Sequence, residues 1–176
     1  MAVYRFKDRI PKIGKDSFVS DSAIVVGDVR IGDNCYIGHG SILRGDYGTI
    51  EIGNGTAIEE GANLHIRPNG VLTFGEKVTV GHGAIIHGNR IDSYAVIGIG
   101  AVIGFDVVVG KWSIVAEGCV VTKGTVIEDN VIVAGVPHKK ISDVNQENKD
   151  FWLYAKQLYI DLAKEYLKDG NFERID

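Results

Sequence analysis

From residue 97 the chain divides into sixes: IGIGAV, IGFDVV, VGKWSI, VAEGCV, VTKGTV, IEDNVI, then VAGVP. Each piece opens on Ile or Val. The same phase runs upstream, with openings at Val19, Val25, Ile31, Ile37 and Leu43, at Ile52, Ile58 and Leu64, and at Phe74, Val80, Ile86 and Ile91. Fifth places are small or β-branched, among them Ala23, Cys35, Ser41, Ala62, Ala84, Ala101, Ser113 and Cys119. The phase slips by three added residues before Ile52, four before Phe74, and one lost before Ile91. A period of six fits neither an α-helix nor a heptad. It fits short strands with a corner every six residues. Three strands then close one triangular coil, stacked on the next by parallel pairing at about 4.8 Å.

This repeat defines an all-β solenoid, the parallel β-helix of hexapeptide repeats. It spans residues 19–137, after an N-terminal segment 1–18. The large aliphatic fills the interior and the small fifth residue packs beside it. The 23 glycines suggest many tight turns; the GxG runs are corner glycines and carry no dinucleotide fingerprint, because no strand–turn–long-helix unit surrounds them. After AGVPHKK, a linker 138–149 leads to a helix expected over 150–170. Asp150 is its expected N-cap and Gly170 its stop. An apolar stripe of Phe151, Ala155, Leu158, Leu162 and Tyr166 would pack along the coil, on the same chain or a neighbour's.

The formal charge of −4 argues against a general nucleic-acid surface. No apolar run is long enough for a membrane span, and Cys35 and Cys119 read as core fillers rather than a disulfide framework. A cytoplasmic protein is expected.

Chemistry enters through histidine. Second places of hexads are mostly glycine, but Arg44, His65 and His87 occupy three of them, each one coil from the next. They therefore stack on one outward face. His65 and His87 lie about 4.8 Å apart at the backbone, close enough to share one metal ion, for which Zn–N is about 2.0–2.1 Å. His82 is the third residue of its hexad and lies across a corner. It is expected to face the His65/His87 pair of a neighbouring chain, leaving an open fourth position for water. His39 and His138 read as solvated side chains. Arg67 and Asn89 stack below Asp46 and are candidates for the pocket lining.

The stretch LRGDYGTIEIGNGTAIEEGANLHI followed by VTVGHGAIIHG resembles the γ-class carbonic anhydrase family of hexapeptide-repeat proteins. The resemblance runs over essentially the whole chain, through AGVPHKKI and the C-terminal helix. It implies a homotrimer of left-handed β-helices with a metal at each subunit interface. The metal would be Zn2+, with Fe2+ or Co2+ as alternatives, and the ligands His65, His82 and His87. It implies an ion pair of Arg44 and Asp46 near the site; Asp46 alone would read as a turn residue. The implied reaction is hydration of CO2 to bicarbonate, a small-molecule substrate.

Three departures bear on that activity. Glu59 stands where the family carries glutamine, and a carboxylate there can accept a hydrogen bond or serve as a base. Tyr47 replaces a glutamate after the Arg-x-Asp run. The acidic loop that supports proton transfer in the most active members is replaced by the short IRPNGVL. The chain thus resembles the compact subgroup, in which a tyrosine of the C-terminal helix approaches the metal. Tyr159 matches that position and reads equally as a core-facing aromatic. Two further functions fit the repeat: an acyl-CoA thioesterase or acyltransferase, and a non-catalytic trimeric assembly subunit.

Overall fold

The structure is a computed structural model, which describes residues 2–173 and 175. It forms a left-handed parallel β-helix closed on one side by a helix, α1 (Gln146–Leu167). Register follows the hexads. Ile37 pairs with Ile58, Ile58 with Val80 and Val80 with Ile97 along one face. Leu43 pairs with Leu64, and Leu64 with Ile86, along another. The opening residues from Val25 to Val121 are buried along the axis, as are the small fifth residues Ala23, Cys35, Ser41, Ala62, Ala84, Ala101, Ser113 and Cys119. Because successive side chains on a strand alternate between faces, the opening residue points in and its neighbours point out.

The three added residues before Ile52 do not break the ladder. They lengthen one strand, Ile42–Ile52, which runs past a corner and pairs with Ile24–Ile31, with a register shift between Gly27 and Val29. The N-terminal segment joins the same sheet: Ala2–Tyr4 and Lys12–Ile13 both pair with Ile24–Ile31.

The three faces differ in what they show outward. One carries Phe18, Tyr36, Ala57 and Thr79, all buried, and is covered by α1. The second carries an apolar ladder of Ile24, Ile42, Ile85, Val102 and Val120, interrupted by Asn63, none of it buried. The third carries Arg30, Glu51, Thr73 and Arg90, with Arg30 Nη1 bound to Glu51 Oε1 at 2.7 Å.

Three expectations are corrected at the C-terminal end. Residues 139–143, placed in a linker, form a strand that returns antiparallel along Val131–Ala134 and covers an otherwise open edge. The helix starts earlier than Asp150. Asn145 is the N-cap, in a reciprocal capping box with Asn148, and Asp150 instead accepts a hydrogen bond from Gln146. The coil-facing side of α1 is Lys156, Tyr159, Ile160, Ala163 and Tyr166, whereas Phe151, Leu158 and Leu162 are exposed. The aromatic ridge of Phe18 and Tyr36 selects this face. Tyr166 stacks on Phe18 at 4.4 Å between centroids, and Tyr159 lies against Tyr36 at 5.2 Å.

Candidate metal centre

The ladder that pairs Leu43 with Leu64 and Leu64 with Ile86 also sets Arg44 beside His65. His65 and His87 project outward on adjacent rungs. Their rings meet edge to face with centroids 5.1 Å apart. Gly104, the next residue of this column, has no side chain, and Phe105 folds edge-on over His87 at 4.7 Å. Asp46 lies alongside. Its Oδ2 accepts from Arg44 Nη1 at 2.7 Å, and its Oδ1 stands 3.7 Å from His65 Nε2. Arg67 is bound to Asp106 at 2.6 Å.

Electrostatics favour neutral rings in this pair. Burial lowers the pKa of His65, helped by the charges of Arg44 and His87 and opposed by Asp46. Burial and then Arg44 lower that of His87. Burial alone would raise the Asp46 carboxyl. The Arg44 hydrogen bond and charge outweigh it and hold Asp46 below the usual carboxylate range.

His82 stands elsewhere, on the corner between the helix-covered face and the apolar ladder. His39, Glu60 and His82 occupy this corner on successive rungs. Gly61 and Gly83 follow two of them in left-handed conformations, with φ of +69° and +66°, which L side chains rarely adopt. The His82 ring is held by two carboxylates, Nε2 to Glu59 Oε2 at 3.2 Å and Nδ1 to Glu60 Oε2 at 2.8 Å. Tyr36 donates to Glu60 Oε1 at 2.6 Å. Glu59 is 5% exposed. Burial raises its pKa, against the pull of His82 and a hydrogen bond from Tyr159. The Tyr159 phenol is raised in turn by burial and by Glu59. His39 is bonded rather than simply solvated: its Nδ1 meets Ser20 Oγ and its Nε2 meets Tyr166 Oη.

The donor set fits a divalent metal. His65 Nε2 and His87 Nδ1 are buried ring nitrogens without hydrogen-bond partners, and an unpaired buried polar atom is costly unless something binds it. Neutral imidazole is the ligand such an ion requires. Among the described residues of one chain, no three His, Cys, Asp or Glu gather closely enough to hold a metal. His82 is on another corner.

Counting sixes stacks Glu60 between His39 and His82, but assigns it no role. Lys156 escaped the sequence reading, because the apolar stripe expected on α1 puts it on the outer side. It is 2% exposed, and its Nζ donates to Thr79 Oγ1 at 2.9 Å and Ala95 O at 3.2 Å.

Residues 10–45 match the family description "Bacterial transferase hexapeptide (six repeats)". The chain is 39% identical over 173 residues to protein YrdA of Escherichia coli (strain K12), covering 94% of each. It is 34% identical over 164 residues to a carbonic anhydrase of Geobacillus kaustophilus, covering 93% of this chain and 90% of the other. A crystal structure of a putative acetyltransferase from Bacillus cereus superposes with a TM-score of 0.89 at 28% identity, over 94% of this chain and 96% of that one.

Proposed function

The chain belongs to the γ-class carbonic anhydrase-like family of hexapeptide-repeat proteins, and from that membership we propose that it hydrates CO2 at a metal centre completed between subunits of a homotrimer. One observation carries the reading. Two stacked histidines present buried ring nitrogens without hydrogen-bond partners on one face, while a third histidine stands on a different corner, from which a second copy would bring it to them.

The outward apolar ladder of Ile24, Ile42, Ile85, Val102 and Val120 supports the assembly. It adjoins the histidine pair, whereas the outward column of the third face begins with the charged Arg30, Glu51 and Arg90 and ends on Val108 and Val126. Apolar surface of this kind beside a polar site marks an interaction surface. Trimerisation would cover the ladder and carry His82 of one chain to His65 and His87 of the next.

His65, His87 and the neighbour's His82 would hold Zn2+, with Fe2+ or Co2+ as alternatives. When bound, such an ion acts as a Lewis acid that lowers the pKa of water at an open position to about 7. The protein residues supply the rest. Asp46, kept ionised by Arg44, lies 3.7 Å from His65 Nε2 and fixes the ring's surroundings. Glu59 is the candidate proton acceptor. Burial raises its carboxyl, which brings its proton affinity closer to neutral pH, where a base works best. Tyr159 donates to Glu59 and orients it. With two free, buried cysteines, the cytoplasm is the compartment this reading assigns. No helix among the described residues is long and apolar enough to cross a membrane.

A second reading, acyl transfer or thioester hydrolysis, draws on the structural likeness to the Bacillus cereus protein. It needs one base and no metal. Anaerobic purification, metal analysis per chain, and CO2 hydration assays of the wild type and His87→Ala separate the two. The carbonic anhydrase reading expects one metal per chain and hydration that His87→Ala abolishes. Stoichiometric metal without hydration refutes it; a metal-free trimer after zinc or iron loading refutes it too and leaves the acyl-transfer reading and the assembly subunit, which a thioester-hydrolysis assay separates.

A further inference from the structure

The His82 corner contains more than a ligand. Glu60 meets His82 Nδ1 at 2.8 Å through one oxygen and Tyr36 Oη at 2.6 Å through the other. Tyr36 is 2% exposed and packs among Phe18, Tyr159 and Tyr166, so its hydroxyl has little freedom to move. Gly38, one rung away, leaves the space the Glu60 carboxylate occupies: a Cβ there would lie 2.8 Å from Glu60 Oε1. The carboxylate is therefore seated from two sides, by a rigid phenol and by a missing side chain. The other ring nitrogen, Nε2, faces Glu59.

We propose that Glu60 is the positioning residue for His82: it accepts a hydrogen bond from Nδ1–H, leaves Nε2 as the metal-binding nitrogen, and is itself held by Tyr36, so that docking of α1 on the coil sets the ligand's orientation. The inference rests on the metal-site reading above. A histidine ligand whose second nitrogen donates to a carboxylate has a fixed tautomer and ring plane, and losing that partner weakens metal binding by about 10- to 100-fold. The chain of contact runs from Tyr159 and Tyr166 on α1, through Tyr36 and Glu60, to His82. The C-terminal helix then contributes to metal affinity without touching the metal.

The test uses full-length, metal-free protein loaded with Co2+. Affinity is read by chelator competition, and the coordinated rings by the exchangeable, hyperfine-shifted N–H signals in proton NMR. Glu60→Ala is expected to lose affinity at least about tenfold, with one exchangeable signal broadened into solvent exchange. Glu60→Gln, whose amide oxygen still accepts from Nδ1–H, is expected to keep the signal and to stay within about threefold of wild type. If Glu60→Ala does not fold, Tyr36→Phe carries the test: a loss of about threefold or more supports the assignment, and no loss overturns it. Cobalt uptake by wild type and Glu60→Ala alike, with all signals retained, overturns this inference alone. Failure of the wild type to take up cobalt overturns the metal-site reading and this inference with it.

Discussion

Replacing Lys156 with methionine should stabilise the protein in acid and neutral solution and not in base. The amine is 2% exposed beneath α1. Burial pulls its pKa from 10.5 down to about 7, with the Glu59 charge opposing. At about 1.4 kcal/mol per pH unit, that fall corresponds to about 5 kcal/mol of penalty when the amine must be protonated in the folded state. The sign follows from the depressed folded-state value. Between pH 7 and 10.5 the unfolded chain binds the proton and the folded chain does not, so stability rises with pH across that window. Below about 7 the full penalty applies. Methionine removes it and keeps most of the side-chain volume. The substitution also deletes two hydrogen bonds and leaves Thr79 Oγ1 and Ala95 O without that donor, a cost of about 2–3 kcal/mol together. Lys156→Met should therefore gain about 2–3 kcal/mol at pH 6.5. By pH 9.5 the wild type should recover about 3 kcal/mol relative to the variant, and the order should reverse. Denaturant unfolding at several pH values and one fixed protein concentration measures this. A stability difference that does not change with pH would refute the reasoning, because it would mean that the buried amine does not lose its proton on folding.

Other sites yield further expectations. Ile58 is fully buried between Ile37 and Val80, and Ile58→Ala should cost about 2–5 kcal/mol in the same unfolding assay. Gly53→Ala would set a Cβ 2.4 Å from Gly75 O; since backbone must move, a loss of about 1–3 kcal/mol is expected, read as a fall in the denaturation midpoint. Asn145→Ala removes the capping box of α1 and should cost about 1 kcal/mol, with faster amide exchange confined to the helix's first turn.

The sequence exposed the coil because its rule is local. Most hexads state the same choice of large residue inward and small residue at the corner, and Ile37, Ile58 and Val80, with Ser41, Ala62 and Ala84, obey it on consecutive rungs. Counting sixes therefore locates His65 beside His87 and puts His82 on another corner. Insertions were legible as slips of phase, but not as the continuous strand Ile42–Ile52, whose length depends on pairing with Ile24–Ile31. The helix was legible as a helix and not in its orientation. Phe151, Leu158 and Leu162 make a plausible stripe, yet the coil offers an aromatic ridge that suits Tyr159 and Tyr166 better, and Lys156 is buried against Thr79 and Ala95. That choice is made by tertiary contact, which no spacing along α1 encodes. The hydrogen bond of His39 to Ser20, nineteen residues away, was likewise invisible until the rungs were stacked.

The central claim is that each metal site is divided between two chains. Its most direct test mixes two inactive variants, His82→Ala and His87→Ala, by denaturing them together at equal amounts and refolding. Each homotrimer alone should bind no metal. In the mixture, a site is whole wherever a chain with intact His65 and His87 meets a neighbour with intact His82, which random assembly around a three-fold axis gives at about one interface in four. Metal content should return to about one quarter of the wild-type value. If refolded wild type regains its metal and the mixture stays empty, the ligands belong to one chain and the shared site is contradicted.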